Sequence, residues 1–133
     1  MELYLKLPDT EISKIKNIIE QKDEVSCDVN KSFGTIWIRS INSETEFRFA
    51  FLGTIRCIIS RVCFEHRRCG IMTSLLDEIK RICLENGVHT IVIQSVETEE
   101  MMKFCLKNGF KADQNASFMS EDGLLLGDYI LSI

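Results

Sequence analysis

The stretch Val62-Cys63-Phe64-Glu65-His66-Arg67-Arg68-Cys69-Gly70-Ile71-Met72 decides how this chain is read. It lies where an apolar run, Ile55 to Phe64, gives way to an amphipathic pattern beginning near Gly70. A strand, a short basic turn bearing a glycine, and then a helix N-terminus is a physical recipe for holding phosphate. The first N–H groups of a helix have no intrahelical acceptor, and the aligned peptide dipoles leave partial positive charge there. Glycine lets the backbone come close to a ligand. Arg67 and Arg68 add fixed charge and bidentate donors. From these residues alone the segment is either an anion site or a surface turn with two solvated arginines.

The elements on either side follow from periodicity. Ile71, Leu75, Ile79, Ile82 and Cys83 share one face of a helix spanning about Gly70 to Asn86, with Asp77, Glu78, Lys80, Arg81 and Glu85 opposite. Asp77 and Arg81 are spaced to pair, and Asn86-Gly87 supplies the stop. Thr90 to Val96 reads as a buried strand, and Thr98 to Asn108 as a second helix stopped by Gly109. Phe110 to Met119 and Leu124 to Ile133 read as a closing strand pair around Glu121-Asp122-Gly123.

Upstream, Glu46 to Leu52 alternates Phe47, Phe49 and Phe51 against Glu46, Arg48 and Ala50. With Phe33 to Ile41 and Ile55 to Phe64 it predicts an antiparallel meander. Lys22 to Ser32 is polar and aperiodic and reads as loop. A helix capped by Asp9 or Thr10 presents Ile12, Ile15, Ile18 and Ile19, and Glu2 to Leu7 reads as a strand ended by Pro8. The order is therefore β-α-β-β-β-α-β-α-β-β: an α/β (α+β) chain with a mixed, mostly antiparallel central sheet of about seven strands flanked by helices. No repeat or linker interrupts it, so residues 1–133 are expected to form a single domain.

Composition narrows the function. The chain has 133 residues, 45% of them hydrophobic, and a net charge of −4, which fits one core and disfavours nucleic-acid or anionic-membrane binding. An acidic exterior tolerates cationic substrates such as amines. No apolar run reaches a membrane span, and the N-terminus lacks a basic leader, so a cytoplasmic protein is expected. The six cysteines form no Cys-x-x-Cys and no zinc-like cluster with the two histidines, so reduced thiols and no metal are expected.

The opening segment also resembles the cofactor-binding motif of the GNAT superfamily of N-acetyltransferases. That motif reads Gln/Arg-x-x-Gly-x-Gly/Ala after a valine and a Pro-Glu-Tyr-like triplet. Val62 takes the valine place, Phe64-Glu65-His66 the triplet, Arg67 the basic place and Gly70 the glycine, while Met72 stands where the family prefers a small residue. The order of elements is similar along almost the whole chain, except that no clear second N-terminal helix is present. A second family signature ends in Gly-Phe, matched by Gly109-Phe110; its asparagine, alanine and tyrosine places fall on Thr98, Met101 and Cys105.

The resemblance implies an acetyl-CoA-dependent N-acetyltransferase in which an amine of a small molecule, protein or peptide attacks the thioester directly. Val62, Cys63 and Phe64 would line pantetheine. Arg67, Arg68, Cys69, Gly70, Ile71 and Met72 would grip the pyrophosphate, and Thr73 and Thr98 would add contacts. Cys105, in the place of the family's tyrosine acid, is either a proton donor to the leaving thiolate or a small buried residue. Glu65 is either a base for the amine or a solvated carboxylate, with His66, Glu46 and Glu97 as further candidates. Tyr4 and Tyr129 read as partly buried core residues, and Trp37 faces either the core or the substrate groove. The departures at Met72, Thr98 and Cys105 leave open a GNAT-fold protein that binds an acyl-CoA or a protein partner without transfer. The chain is expected to be a monomer or homodimer.

Overall fold

The computed structural model of the protein describes residues 6–66 and 70–133. The elements in chain order are α1 (Asp9–Asp23), β1 (Asp28–Ser32), β2 (Thr35–Arg39), β3 (Glu46–Leu52) and β4 (Arg56–Cys63). They continue with α2 (Ile71–Glu85), β5 (Thr90–Val96), α3 (Glu99–Lys107), β6 (Lys111–Met119) and β7 (Leu125–Ser132). The strands form one sheet in the order β1-β2-β3-β4-β5-β7-β6. β4 and β5 pair in parallel and every other neighbouring pair is antiparallel, as the helix-linked crossover between β4 and β5 requires.

Alternation decides the core face. Phe47, Phe49 and Phe51 of β3 are all buried, as are Ile36 and Ile38 of β2. Their rings and branched chains meet the stripe of α2, where Ile71, Leu75, Ile79, Ile82 and Cys83 are buried with Met72 and Leu76. α1 lies beside α2 and buries Ile12, Ile15 and Ile19, with Ile18 half-buried. Among the described residues no helix is long and apolar enough to cross a membrane.

Four expectations need correcting. α1 begins at Asp9 with Pro8 in the cap place and no side-chain cap bond, so neither Asp9 nor Thr10 caps it. Asp28–Ser32 is a strand, not loop: it pairs antiparallel with β2 at the sheet edge. Four of its five residues are exposed, so no face is buried and no alternation betrays it. Phe33 belongs not to the next strand but to the two-residue turn that makes this hairpin. Phe33 and Gly34 have φ of 50° and 78°, the left-handed pair that suits strand twist in a tight hairpin, and the Phe33 side chain is 90% exposed. Arg81 bonds Glu85 at 2.8 Å, Glu78, and Glu11 of α1 at 2.6 Å rather than Asp77. Carboxylates on both sides of the guanidinium, one of them from the neighbouring helix, outcompete a single partner. The strand expected at Glu2–Leu7 falls largely outside the described residues, and Lys6 and Leu7 are not in a strand.

Two irregularities shape the centre of the sheet. In the β3–β4 ladder Arg48 faces Arg61 while Phe49 faces Ile59, so Ser60 is the extra residue of a bulge. Arg48 Nε donates to Ser60 Oγ at 3.0 Å, fixing it. The β5–β7 ladder slips between Ile93 and Val96. There Ser95 has φ of 55° and donates its N–H to Asp128 Oδ1 at 2.9 Å. Both bulges lie just beyond the last β4–β5 pair, Ile59↔Ile93. Bulges bend strands and increase twist, so β4 and β5 part company at that level.

Candidate functional site

The parting of β4 and β5 ends their ladder at Ile59↔Ile93, and β4 runs on beyond it to Cys63. A groove of about 290 Å³ opens there. Val62, Cys63 and Phe64 form its floor, and Gly70, Ile71, Met72 and Thr73 at the start of α2 form one wall. Thr98, Met101 and Phe104 of α3 face them. The structure therefore gathers Val62, Cys63, Phe64, Gly70, Ile71, Met72, Thr73 and Thr98 around one cavity. Arg67, Arg68 and Cys69, named with them from the sequence, lie outside the described residues.

The start of α2 has the electrostatics of an anion site. Gly70 occupies the cap with φ of 72° and offers no side-chain bond to the first turn, which also carries no acidic residue. α1 and α3 differ: each has two carboxylates in its first turn, Asp9 with Glu11 and Glu99 with Glu100. Among the described residues no side chain is seen accepting from the first-turn amides of α2, which face a groove where an anion can take them. A Cβ on Gly70 would meet nothing within 4 Å, so glycine is required there by its left-handed backbone rather than by crowding. Met72, where the family motif prefers a small residue, is only 9% exposed and belongs to the core cluster while it also borders the groove.

The two acid–base candidates do not meet in this groove. Cys105 is fully buried beneath α3 and is not part of the lining, and burial pushes its thiol up to about 12. Tyr129 is also fully buried and donates from Oη to Leu125 O at 2.5 Å; burial, and then Cys105, raise its pKa. Glu65 accepts the Glu44 N–H on Oε1 at 2.9 Å, which holds its carboxylate toward the β2–β3 loop and out of the lining. Glu46 pairs with Arg61 at 3.0 Å. Trp37 lies on the opposite sheet face from Ile36 and Ile38, with the Arg39 guanidinium 4.6 Å above its ring.

His66 does line the groove, and it depends on a residue the sequence reading missed. Asp23, the last residue of α1, is completely buried. Its Oδ1 accepts the His66 N–H at 2.6 Å and its Oδ2 accepts the Glu65 N–H at 3.0 Å. Oδ2 also accepts from the Thr45 hydroxyl. Burial pushes the Asp23 pKa up, but the bonds from Thr45, His66 and Glu65 more than offset it and hold the carboxyl below its ordinary value. The His66 Nδ1 lies 2.8 Å from Asp23 O and 3.1 Å from Oδ1. Both partners are acceptors, so Nδ1 carries the proton and Nε2 is the nitrogen left to the groove. The sequence did hold a signal: Asp23 continues the stripe Ile12, Ile15, Ile19 at helical spacing, where a carboxylate must find partners or not fold.

A second recess of about 550 Å³, lined by Arg39, Ser43, Thr45, Glu46 and Arg61, reaches Cys63 as well. The end of β4 thus borders two openings. Among the described residues no group of three or more His, Cys, Asp or Glu is placed to hold a metal.

No family model matches the sequence, and no curated protein matches it. Solved structures do. Ard1 from Thermoplasma volcanium superposes with a TM-score of 0.54 at 13% identity, over 97% of this chain and 95% of that one. A GNAT-family acetyltransferase from Staphylococcus aureus does so with a TM-score of 0.54 at 15% identity, over 96% of each chain. One from Elizabethkingia anophelis with acetyl-CoA bound gives 0.50 at 14% identity, over 89% of this chain and 83% of that one. With the seven-stranded mixed sheet opened between β4 and β5, these likenesses show that the chain has the fold of the GNAT acetyltransferases.

Proposed function

We propose that this protein is an acetyl-CoA-dependent N-acetyltransferase of a single domain, acting on an amine of a small molecule, protein or peptide. The observation that carries the proposal is that the end of β4 beyond its ladder with β5 and the glycine-capped N-terminus of α2 meet in one groove. An extended arm bearing amides can hydrogen-bond along a free strand edge, and a pyrophosphate fits the free amides of a helix start. Acetyl-CoA has both groups, in that order.

Acetyl-CoA would supply an activated acetyl group, which a free amine takes from sulfur without a covalent enzyme intermediate. The Val62, Cys63 and Phe64 backbone would align the arm, and the first turn of α2 would hold the phosphates. Met101 and Phe104 would keep water from the thioester side. The polar recess on the far side of Cys63 would admit the amine, so that the two substrates meet at the end of β4. Titration calorimetry of acetyl-CoA into ligand-free protein tests the binding half. One-to-one, micromolar affinity is expected, and no saturable binding overturns it.

A second reading is favoured by Cys105. A thiol whose pKa burial pushes up to about 12 yields its proton less readily than an ordinary thiol at about 8.5. With Glu65 also turned away, neither the acid nor the base named first from the sequence, Cys105 and Glu65, lies in the groove. A protein that binds acyl-CoA without transferring the acyl group follows from that. Steady thiol release from acetyl-CoA in the presence of an amine panel decides for the transferase; tight binding without release decides for the binder.

A further inference from the structure

We propose that Asp23 is a positioning residue for the ligand groove: it fixes His66 with Nδ1–H turned inward, so that cationic His66 presents Nε2–H to an anionic group of the bound ligand, the pyrophosphate of a coenzyme A. The proposal rests on the acetyl-CoA reading above and adds to it a charge switch that the phosphate turn alone does not contain.

The geometry carries it. Asp23 is a fully buried carboxylate that makes no ion pair with lysine or arginine among the described residues. Its bonds reach across the fold to the segment just after β4, at Glu65 N, His66 N and the His66 ring. The Thr45 hydroxyl, from just before β3, completes the set. Burying a carboxylate costs several kcal/mol unless it is well bonded, and this one is bonded at the upstream edge of the ligand groove. The ring it holds lines the same groove as the first turn of α2. Its side chain is 49% exposed, so Nε2 is open to a ligand.

Among the described residues the charged groups around the ring are Asp23 and Glu24 at the end of α1, Glu65 beside it in the chain, and Glu100 on α3 across the groove. All are acidic. Asp23, by bonding the ring, raises the His66 pKa above its ordinary value. A cation is thereby favoured at a place where the described lining otherwise adds only negative charge. An imidazolium N–H to a phosphate oxygen is a charge-assisted bond, and it is lost when the ring gives up its proton. Binding is therefore tight at low pH and weakens as pH rises through the His66 pKa.

The test is calorimetric titration of 3′-dephospho-CoA between about pH 5.5 and 8.5. This probe keeps the pyrophosphate and removes the terminal phosphate that titrates in the same range. Wild-type affinity should fall about tenfold across the window, which by linkage means that binding raises the His66 pKa by about one unit. His66→Gln should bind with an affinity flat in pH, close to the weak limb of the wild type. Asp23→Asn should move the inflection to lower pH, because the ring loses its carboxylate; a merely structural Asp23 would weaken binding equally at every pH. Nitrogen NMR of the ligand-free protein should show the proton on Nδ1 in neutral His66. Should Asp23→Asn fail to fold, the His66→Gln slope and the NMR tautomer decide. A pH-independent wild-type affinity, or a His66→Gln slope equal to wild type, overturns this proposal alone. Absence of binding at every pH overturns it together with the acetyl-CoA reading.

Discussion

Thr98 caps α3 with its own side chain, its Oγ1 accepting the Met101 N–H at 3.2 Å. The same residue lines the groove, so a cap and a ligand wall coincide. Thr98 has extended backbone angles, φ −120° and ψ 150°, and Glu99 and Glu100 follow it in the first turn, as a helix start prefers. Thr98→Ala should cost about 1 kcal/mol of stability and weaken acetyl-CoA binding by a few fold, because the first turn of α3 frays at the groove. Thr98→Ser should restore both. Thermal denaturation and calorimetry on the pair of variants check this; an alanine variant with unchanged melting temperature refutes the cap.

Gly127 of β7 lies tight against the backbone of β6. A Cβ there would stand 2.3 Å from Ala116 O and 2.8 Å from Ser117 Cα, and its φ is 113°. Both neighbours are backbone and cannot swing aside. Gly127→Ala should therefore destabilise by about 3 kcal/mol or more. Gly123→Ala, with φ of 81° but nothing within 4 Å, should cost only about 1 kcal/mol. Urea midpoints measure both, and equal losses would show that the crowding at Gly127 relaxes.

The legible and the hidden parts of this fold differ in how local their causes are. The bounds of β3 and β5 could be read because Phe47, Phe49, Phe51 and Ile91, Val92, Ile93 declare their burial in the sequence itself. α2 was legible for the same reason. Much of the groove's described lining could be gathered from one stretch of sequence, because the strand end and helix start that supply it are close together in the chain. What stayed hidden depends on distant partners. β1 exists only because β2 offers it an edge, and its own residues are nearly all exposed. The bulges at Ser60 and at Ser95, which open the groove, are defined by register against β3 and β7. Asp23 is buried because Thr45, Glu65 and His66 come to it from remote parts of the chain; only its place on an apolar stripe hinted at this.

The Asp23–His66 contact gives stability a defined pH window. The Asp23 pKa is lowered on folding, so its contribution is present above the unfolded value, about 3.9, and is lost as pH falls through the folded value. The His66 pKa is raised, so its contribution is complete below about 6.5 and is lost as pH rises through the folded value. Stability from this pair therefore peaks in mildly acidic solution. Melting temperature followed against pH should decline on both sides for the wild type. The difference between wild type and Asp23→Asn should be largest between those limits and shrink toward either end; a difference constant in pH would sever the link to the two titrations.

The cysteines separate the groove from the core. Cys105 is fully buried and its thiol is pushed up to about 12, whereas Cys63 is half-buried at the groove floor. An alkylating reagent at mildly alkaline pH should modify Cys63 and spare Cys105 in the folded protein, since the thiolate is the nucleophile. Saturating acetyl-CoA should protect Cys63 if the groove is its binding site, and peptide mass spectrometry reads each site separately. Cys105→Ala should leave acetyl-CoA affinity and any thiol release within about twofold of wild type, because the side chain only fills space. A general acid at that position would instead cost about a hundredfold or more in turnover on its removal. A loss of that size, with binding retained, would mean that α3 shifts on binding and brings the thiol to the leaving sulfur.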